Sequence, residues 1–362
     1  METRVLPTHP PAALQEAITA AVAELREGNP VALPTETVYG LAADALRPGA
    51  VVKIFEAKAR PYFDPLIVHL PHQEWLARIT AIPPQSRELV DKLIAHFWPG
   101  PLTLVLPRRD NIPDLVSSGL PTVAVRMSAH PIFRAVCAAF GQPLAAPSAN
   151  RFGRISPTTA MHVKSELDGR IPLILDGGAT EHGLESTIVK VEGGGLRLLR
   201  AGPVTPEALG SAWRASGEAI GEFPGKLAVS GFFEKLGVAV PAAPTGGDEM
   251  VIEAPGQMLQ HYAPMTPLRL LPRAADAPPT GAGRRRLGLL AFSRAPEGIP
   301  FTQVEILSPG EDLREAAATL FAKMRRLDEA QLDMIYAEPV PENGLGIAIM
   351  DRLRKAAVQH VP

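Results

Sequence analysis

Leu66-Ile67-Val68-His69-Leu70 is an unbroken apolar run, interrupted only by one histidine and closed by Pro71. Five such residues between prolines read as a buried strand, covered on both faces rather than half-solvated. Working outward in both directions, helix and strand patterns alternate around it. Upstream, Gly49 to Ala59 reads as a helix with Val52, Ile54 and Phe55 as packing residues, and Pro30 to Pro34 as a short strand. Before that, Pro10-Pro11 opens a helix running to Glu27, with Leu14, Ile18, Val22 and Leu25 on one face and Gly28 as its stop. Downstream, a helix over Arg87 to Phe97 ends at Trp98-Pro99-Gly100-Pro101, followed by strands over Leu102 to Leu106 and Thr122 to Arg126. A helix over Pro131 to Phe140, a strand over Pro143 to Pro147, and strands at Leu173 to Leu175, Thr187 to Val191 and Leu196 to Leu199 complete the first unit. The rhythm is not a strict βαβ repeat, so the expectation is α/β with a twisted, mixed sheet.

From about Pro203 to Pro264 the texture changes to Gly, Pro and Ala, with only a short helical pattern after Pro206. A stretch this long without its own structure is a linker or a functional loop. Its end, Ala254-Pro255-Gly256-Gln257-Met258-Leu259-Gln260-His261-Tyr262-Ala263-Pro264, is too particular for a spacer. Beyond it, strands over Leu268 to Leu271, Leu287 to Phe292, Val304 to Ile306 and Asp333 to Ala337 alternate with helices over Glu311 to Leu327 and Leu345 to Val358. That order predicts a smaller, largely parallel, Rossmann-like sheet. The expected organisation is therefore a domain over 1–205, a linker or lid over 206–264, and a C-terminal domain over 265–362.

At 362 residues, two cores are the default expectation. A net charge of -2 with 20% charged residues gives no global case for nucleic-acid or membrane binding, so any anion site must come from local placement. One cysteine, Cys137, excludes an internal disulfide and a cysteine-built zinc site, and its apolar neighbours make it a core residue. Neither a signal-peptide pattern nor a long apolar span is visible, so a cytoplasmic protein without membrane contact is expected.

Walker A, H-E-x-x-H, G-x-S-x-G and G-x-G-x-x-G patterns are missing; Gly281-Ala282-Gly283 lacks the dinucleotide spacing. Instead, cations and hydroxyls gather where apolar strands end. Lys58-Ala59-Arg60 and Ser148-Ala149-Asn150 each follow turn-rich segments; the two alternate cations can grip one anion, and the alternate hydroxyl and amide can orient it. Thr37, Arg126, Ser148 and Arg200 fall at strand ends, where open α/β sheets bind ligands. Arginines there can converge on a carboxylate or phosphate, and Tyr39 or Tyr262 can stack on a base.

Seven segments then occur in one family's order: PTETVYGLAA at 34–43, K-x-R at 58–60, PLIVH at 65–69, FWPGPLT at 97–103, TVAVR at 122–126, PSAN at 147–150 and ESTIV at 185–189. They resemble the YrdC-like family of threonylcarbamoyl-AMP synthases. The HYAP segment and C-terminal domain are similar to its long, two-domain branch. The resemblance implies a concave cavity in the first domain that makes threonylcarbamoyl-AMP and pyrophosphate from L-threonine, bicarbonate and ATP, with Mg²⁺ on the phosphates. The product would feed N6-threonylcarbamoyladenosine modification of tRNA through a downstream tRNA threonylcarbamoyl transferase, with tRNA binding a further possible partner contact. Carried over by position, Lys58, Arg60, Ser148 and Asn150 form the signature, and Thr37, His69, Arg126, Ala146 and Ser186 contact threonine. Arg60, Asp64, Thr122, Ser148, Arg200 and Tyr262 contact ATP; no protein metal site is implied. The family usually carries Asn where this chain has Asp64, which accepts hydrogen bonds but donates none as a carboxylate and adds charge near phosphates.

Every reactant in that chemistry is anionic or carries a carboxylate. Lys58, Arg60, Arg126 and Arg200 would lower their mutual repulsion, and the linker ending in HYAP would close over a water-labile carbamate. Two rivals fit parts of the pattern: an RNA-binding or RNA-maturation module using the same basic concavity, and a related enzyme carbamoylating another acceptor. The lack of a basic tail counts against the first, and the lack of fused zinc-finger or acylphosphatase-like segments against the second.

Overall fold

The computed structural model describes residues 2–192, 195–214, 252–258, 261–272, 285–295 and 301–358. Gly281-Ala282-Gly283 and the middle of the expected lid lie outside these residues.

Ten strands form one mixed sheet in the first domain. In chain order they are β1 (Arg4–Pro7), β2 (Val31–Leu33), β3 (Gly40–Asp44), β4 (Ile67–His69), β5 (Leu102–Pro107), β6 (Thr122–Arg126), β7 (Leu144–Ala145), β8 (Leu173–Asp176), β9 (Thr187–Glu192) and β10 (Gly195–Arg200). Across the sheet they run β1-β8-β2-β3-β7-β4-β6-β5-β9-β10. The opening run is β4, inserted between antiparallel β7 and parallel β6.

Helices cover both faces, because side chains alternate across each strand. Val31 and Leu33, with Leu173 and Leu175, pack on α1 (Pro11–Arg26) and α6 (Pro131–Phe140). Ala32 and Ile174, pointing the other way, belong to the core around α2 (Pro48–Lys58), α4 (Pro84–Phe97) and α7 (Ala160–Leu167). Buried side chains such as Leu25 and Phe55 contribute roughly 1.5–3 kcal/mol each from their removal from water.

The short helical pattern after Pro206 is α8 (Pro206–Arg214). Five elements have no counterpart in the sequence pattern: β1, β3, α3 (Trp75–Ile79), α5 (Asp114–Ser117) and α7. β3 follows directly on the turn-rich segment. Its Gly-Leu-Ala-Ala run has no β-branched residue, and pairing with β2 on one side and β7 on the other imposes the extended form. Helix α7 is a polar helix started by Thr159, whose hydroxyl accepts from the His162 amide.

The second sheet holds β11 (Leu268–Leu270), β12 (Leu287–Ala291), β13 (Gln303–Ile306) and β14 (Met334–Ala337) in the order β11-β14-β12-β13, every pair parallel. Two helices pack on it, α9 (Leu313–Glu329) and α10 (Leu345–Ala356). Asp312 caps α9 by accepting from the Arg314 and Glu315 amides.

The two domains share a core. Val38, Ile155 and Leu184 of the first pack with Leu320 and Phe321 of α9, and Tyr262 joins them. Around that seam lie buried ion pairs: Arg325 with Glu166 at 3.1 Å and Arg352 with Glu185 at 3.1 Å. No helix among the described residues is long and apolar enough to cross a membrane.

Candidate active site

Two loops meet at the end of the sheet to form the site. Residues 34–39 leave β2, and Gly40 bridges Ser148, while the Leu41 amide donates to Pro147 O and the Ala149 amide to Tyr39 O. The turn-rich segment at 34–40 and the Ser-Ala-Asn loop are thus zipped together. Lys58 fixes the second loop from below: its ammonium donates to the backbone carbonyls of Ser148 and Asn150. Burial, then the positive charge of Arg60, holds the Lys58 ammonium well below the ordinary lysine range.

The two cations of Lys58-Ala59-Arg60 do not grip one anion side by side. Ala59 caps α2 in the left-handed region at φ 51°, so Lys58 and Arg60 diverge. The Arg60 guanidinium donates to Asp64 O at 3.2 Å and Pro65 O at 2.8 Å. Its Nη2 also stands 2.9 Å from Asp64 Oδ2, an ion pair without hydrogen-bond alignment, so neither oxygen of that buried carboxylate receives a donor. Burial pushes the Asp64 carboxyl upward, against the pull of Arg60.

A narrow cavity lies between these loops and the HYAP segment. Of the residues singled out by sequence, Thr37, Arg60, His69, Arg126, Ala146, Ser148, Ser186, Arg200 and Tyr262 all line it. Four do not. Lys58 and Asn150 brace the loop, with the Asn150 amide donating to the carbonyls of Arg151 and Arg154. Asp64 backs Arg60, and Thr122 begins β6, at the opposite end of that strand from Arg126.

Neighbouring parallel strands place His69 opposite Arg126. Arg126 donates to Thr37 Oγ1 at 3.1 Å and to Gly100 O at 3.2 Å, and pairs with Glu36. Burial alone would push Glu36 up, but Arg126 and a hydrogen bond from Ser128 hold it down at about 2. Arg200, on the far wall, donates to Ser186 O at 3.0 Å, Ser186 Oγ at 3.1 Å and Pro255 O at 3.2 Å. Ser186 Oγ is also 2.8 Å from Thr103 Oγ1, so its orientation is fixed from both sides.

The residues 252–258 and 261–264 close the cavity. Gly256, at φ 82°, sits where an added Cβ would meet the Tyr262 hydroxyl at 2.5 Å and the Arg200 side chain at 3.1 Å, so only glycine fits there. Tyr262 is buried against Phe321, with ring centroids 5.7 Å apart, and its hydroxyl has no hydrogen-bond partner. Tyr39, in contrast, is a core aromatic, donating to Gly178 O and accepting from the Gly177 amide. Cys137 is buried, and burial pushes its thiol up, away from any nucleophilic role.

Sequence reasoning passed over Glu36, Glu185 and His261, which also belong to the site. Glu36 and Glu185 adjoin Thr37 and Ser186 inside the quoted motifs, and that adjacency was the available signal.

His69 is buried against Phe133, with ring centroids 4.5 Å apart. Burial and then Arg126 lower its pKa from 6.5 to about 3, so the native imidazole is neutral. A lowered native pKa means the unfolded chain takes up the proton first, and stability present above pH 6.5 is lost as pH falls toward 3. Glu36 acts in the same direction between 4.5 and about 2. The thermal midpoint is therefore expected to fall on acidification below 6.5, and His69→Gln to flatten the first part of that fall. A midpoint profile identical in the variant would show that His69 is not the group responsible.

Comparison with known proteins places these observations. A family model described as "Telomere recombination" matches residues 23–202, and one described as "Threonylcarbamoyl-AMP synthase, C-terminal domain" matches 226–358. Threonylcarbamoyl-AMP synthase of Pyrococcus abyssi is 38% identical over 348 residues, covering 94% of each chain. The Bacillus subtilis protein of the same name is 39% identical over 346 residues, covering 94% of this chain and 92% of the relative. The crystal structure of P. abyssi Sua5 complexed with L-threonine superimposes with a TM-score of 0.82 at 35% identity, covering 98% of both chains.

Proposed function

Because the chain belongs to the threonylcarbamoyl-AMP synthase family, we propose that its cavity joins L-threonine, bicarbonate and ATP into threonylcarbamoyl-AMP, releasing pyrophosphate. The observation that carries this reading is the convergence of three buried guanidinium groups, Arg60, Arg126 and Arg200, on one pocket lined by Thr37, Ser148 and Ser186. Burying cations is costly, and a cluster of them suits reactants that are anions or carry a carboxylate.

The threonine amine takes up bicarbonate as a carbamate with loss of water. A carbamate oxygen then attacks the α-phosphorus of ATP, and the bond to the β-phosphate oxygen breaks with departure of pyrophosphate. Positioning and charge suffice for such a displacement, without a covalent intermediate on the protein. Arg126, with Thr37, His69, Ala146 and Ser186, takes the threonine; Arg126 meets its carboxylate while Glu36 keeps the guanidinium in place. Arg60, Ser148, Arg200 and Tyr262 take ATP, while Asp64 acts from behind Arg60 and Thr122, at the far end of β6, has no place in the cavity lining. Lys58 and Asn150 hold the loop that presents Ser148. His69, neutral at working pH, can lie beside the substrate without adding charge.

Among the described residues, no group of three His, Cys, Asp or Glu side chains could cage a metal ion. Glu36 and Glu185 are engaged with arginines. Mg²⁺ enters as the ATP complex and leaves with pyrophosphate, as part of the substrate. The adenylate passes to a downstream tRNA threonylcarbamoyl transferase, which fits a cytoplasmic location.

The test is direct. Protein is incubated with ATP, Mg²⁺, threonine and labelled bicarbonate, and label is sought in an adenylate together with released pyrophosphate. Both are expected only when all components are present. Adenylate formed with carbamoyl phosphate but not with threonine would replace this reading with carbamoylation of another acceptor. Salt-sensitive RNA affinity without ATP use would replace it with an RNA-binding module.

A further inference from the structure

We propose that Arg352, from the C-terminal domain, is a positioning residue that holds Glu185 and Tyr262 in the cavity wall and keeps Glu185 from occupying Arg200. The proposal deepens the reading above and rests on it for the identity of the nucleotide.

Arg352 is fully buried on α10, yet it reaches Glu185 and Ala201 of the other domain. Its Nε donates to Glu185 Oε2 at 3.1 Å and its Nη1 to Ala201 O at 2.8 Å, while Asp351 lies 2.8 Å from the same nitrogen. The guanidinium carbon is 5.2 Å from the centre of the Tyr262 ring, which also stacks on Phe321. Glu185 and Tyr262 both line the cavity; Arg352 does not. One turn further along the helix, Lys355 donates to Gly256 O at 2.7 Å. A single helix of the second domain thus pins three residues of the wall.

The charge arrangement gives this geometry a consequence. Glu185 is a buried carboxylate whose remaining oxygen accepts from Ser156. Its chain neighbour Ser186 is bonded by Arg200, a cation assigned above to ATP. Without Arg352, Glu185 would be an unpaired buried charge, and the cation within its reach would be Arg200. A carboxylate there competes with phosphate for the same guanidinium. Arg352 removes that competition by satisfying Glu185 from behind.

Three variants of the full chain test this: Arg352→Met, Arg352→Lys and Glu185→Gln/Arg352→Met. Arg352→Met is expected to weaken ATP binding, read by calorimetry and as KM, by roughly ten- to a hundredfold. The KM for threonine should change by less than about threefold. Arg352→Lys should recover part of the affinity. The double variant should recover most of it, because the competing charge is gone, and it also serves if the single variant does not fold. A purely structural role would lower thermal stability and impair both substrates alike, with no recovery in the double variant, and that result would overturn the proposal. So would ATP affinity unchanged in a folded Arg352→Met. Amide exchange in the ligand-free protein provides a separate measure: residues 253–258 and 261–263 should exchange faster in Arg352→Met while β12 does not, and equal exchange would refute the holding role. Failure of the wild-type protein to bind ATP would instead sink the functional reading, and the exchange result would still stand or fall by itself.

Discussion

Arg60→Ala is expected to lower threonine- and bicarbonate-dependent pyrophosphate release by about a thousandfold or more, the scale seen when a charge-stabilising donor is removed from a transition state. Arg60 is 7% exposed and lines the cavity, so water cannot replace it as a counter-charge. The same change leaves Asp64 buried without its cation. Breaking a buried pair from one side costs about 3–5 kcal/mol, eased here because burial already drives Asp64 toward its neutral form. The variant should therefore melt earlier but remain folded, and near-ultraviolet circular dichroism separates the two effects. Arg60→Lys retains the charge but not the planar fork that reaches both Asp64 O and Pro65 O, so an intermediate rate is expected. A folded Arg60→Ala protein turning over at nearly the wild-type rate would remove Arg60 from the chemistry.

Ending the chain at residue 205 is expected to reduce turnover by about a hundredfold or more, as site groups lose their alignment and water enters. The truncation takes away Pro255, Gly256, His261 and Tyr262 from the cavity lining, and with them the carbonyl that receives Arg200 Nη1. It also strips Glu185 of Arg352 and uncovers Val38, Ile155 and Leu184, an apolar patch that invites self-association. Sedimentation should show that association, and Tyr262→Ala in the intact chain gives the local contribution alone. Unaltered kinetics in the shortened protein would show that the second domain and the HYAP segment are not part of the working site.

How much of this could be read beforehand depended on whether the signal was local. β4, β6 and β9 are apolar runs, and the helices at Pro131–Phe140 and Pro11–Arg26 carry proline starts and, at Gly141 and Gly28, positive-φ glycine stops. Such features sit within a dozen residues, and their elements were legible to within a residue or two. β3 was not, because what makes Gly40–Asp44 a strand is pairing with β2 and β7, the latter a hundred residues further along. The cavity followed a similar division. Its cations and hydroxyls were recognised from ordered motifs more than from any single residue. Its carboxylates were missed because their meaning lies in distant partners: Glu36 meets Arg126 ninety positions later, and Glu185 meets Arg352 in the other domain. Lys58 was misjudged in direction rather than importance, since spacing alone says nothing of where an ammonium points once the helix has ended.

The left-handed turn at Ala59 has an evolutionary corollary. The middle letter of Lys58-Ala59-Arg60 is exposed and outside the cavity lining, yet the handedness of the chain restricts what can stand there. Glycine would relax there at some entropic expense, and asparagine or aspartate would be admitted, whereas valine, isoleucine or threonine would be rejected by their own branching. Substitutions tolerated at this silent position would thus record a backbone twist, not the identity of the molecule being made.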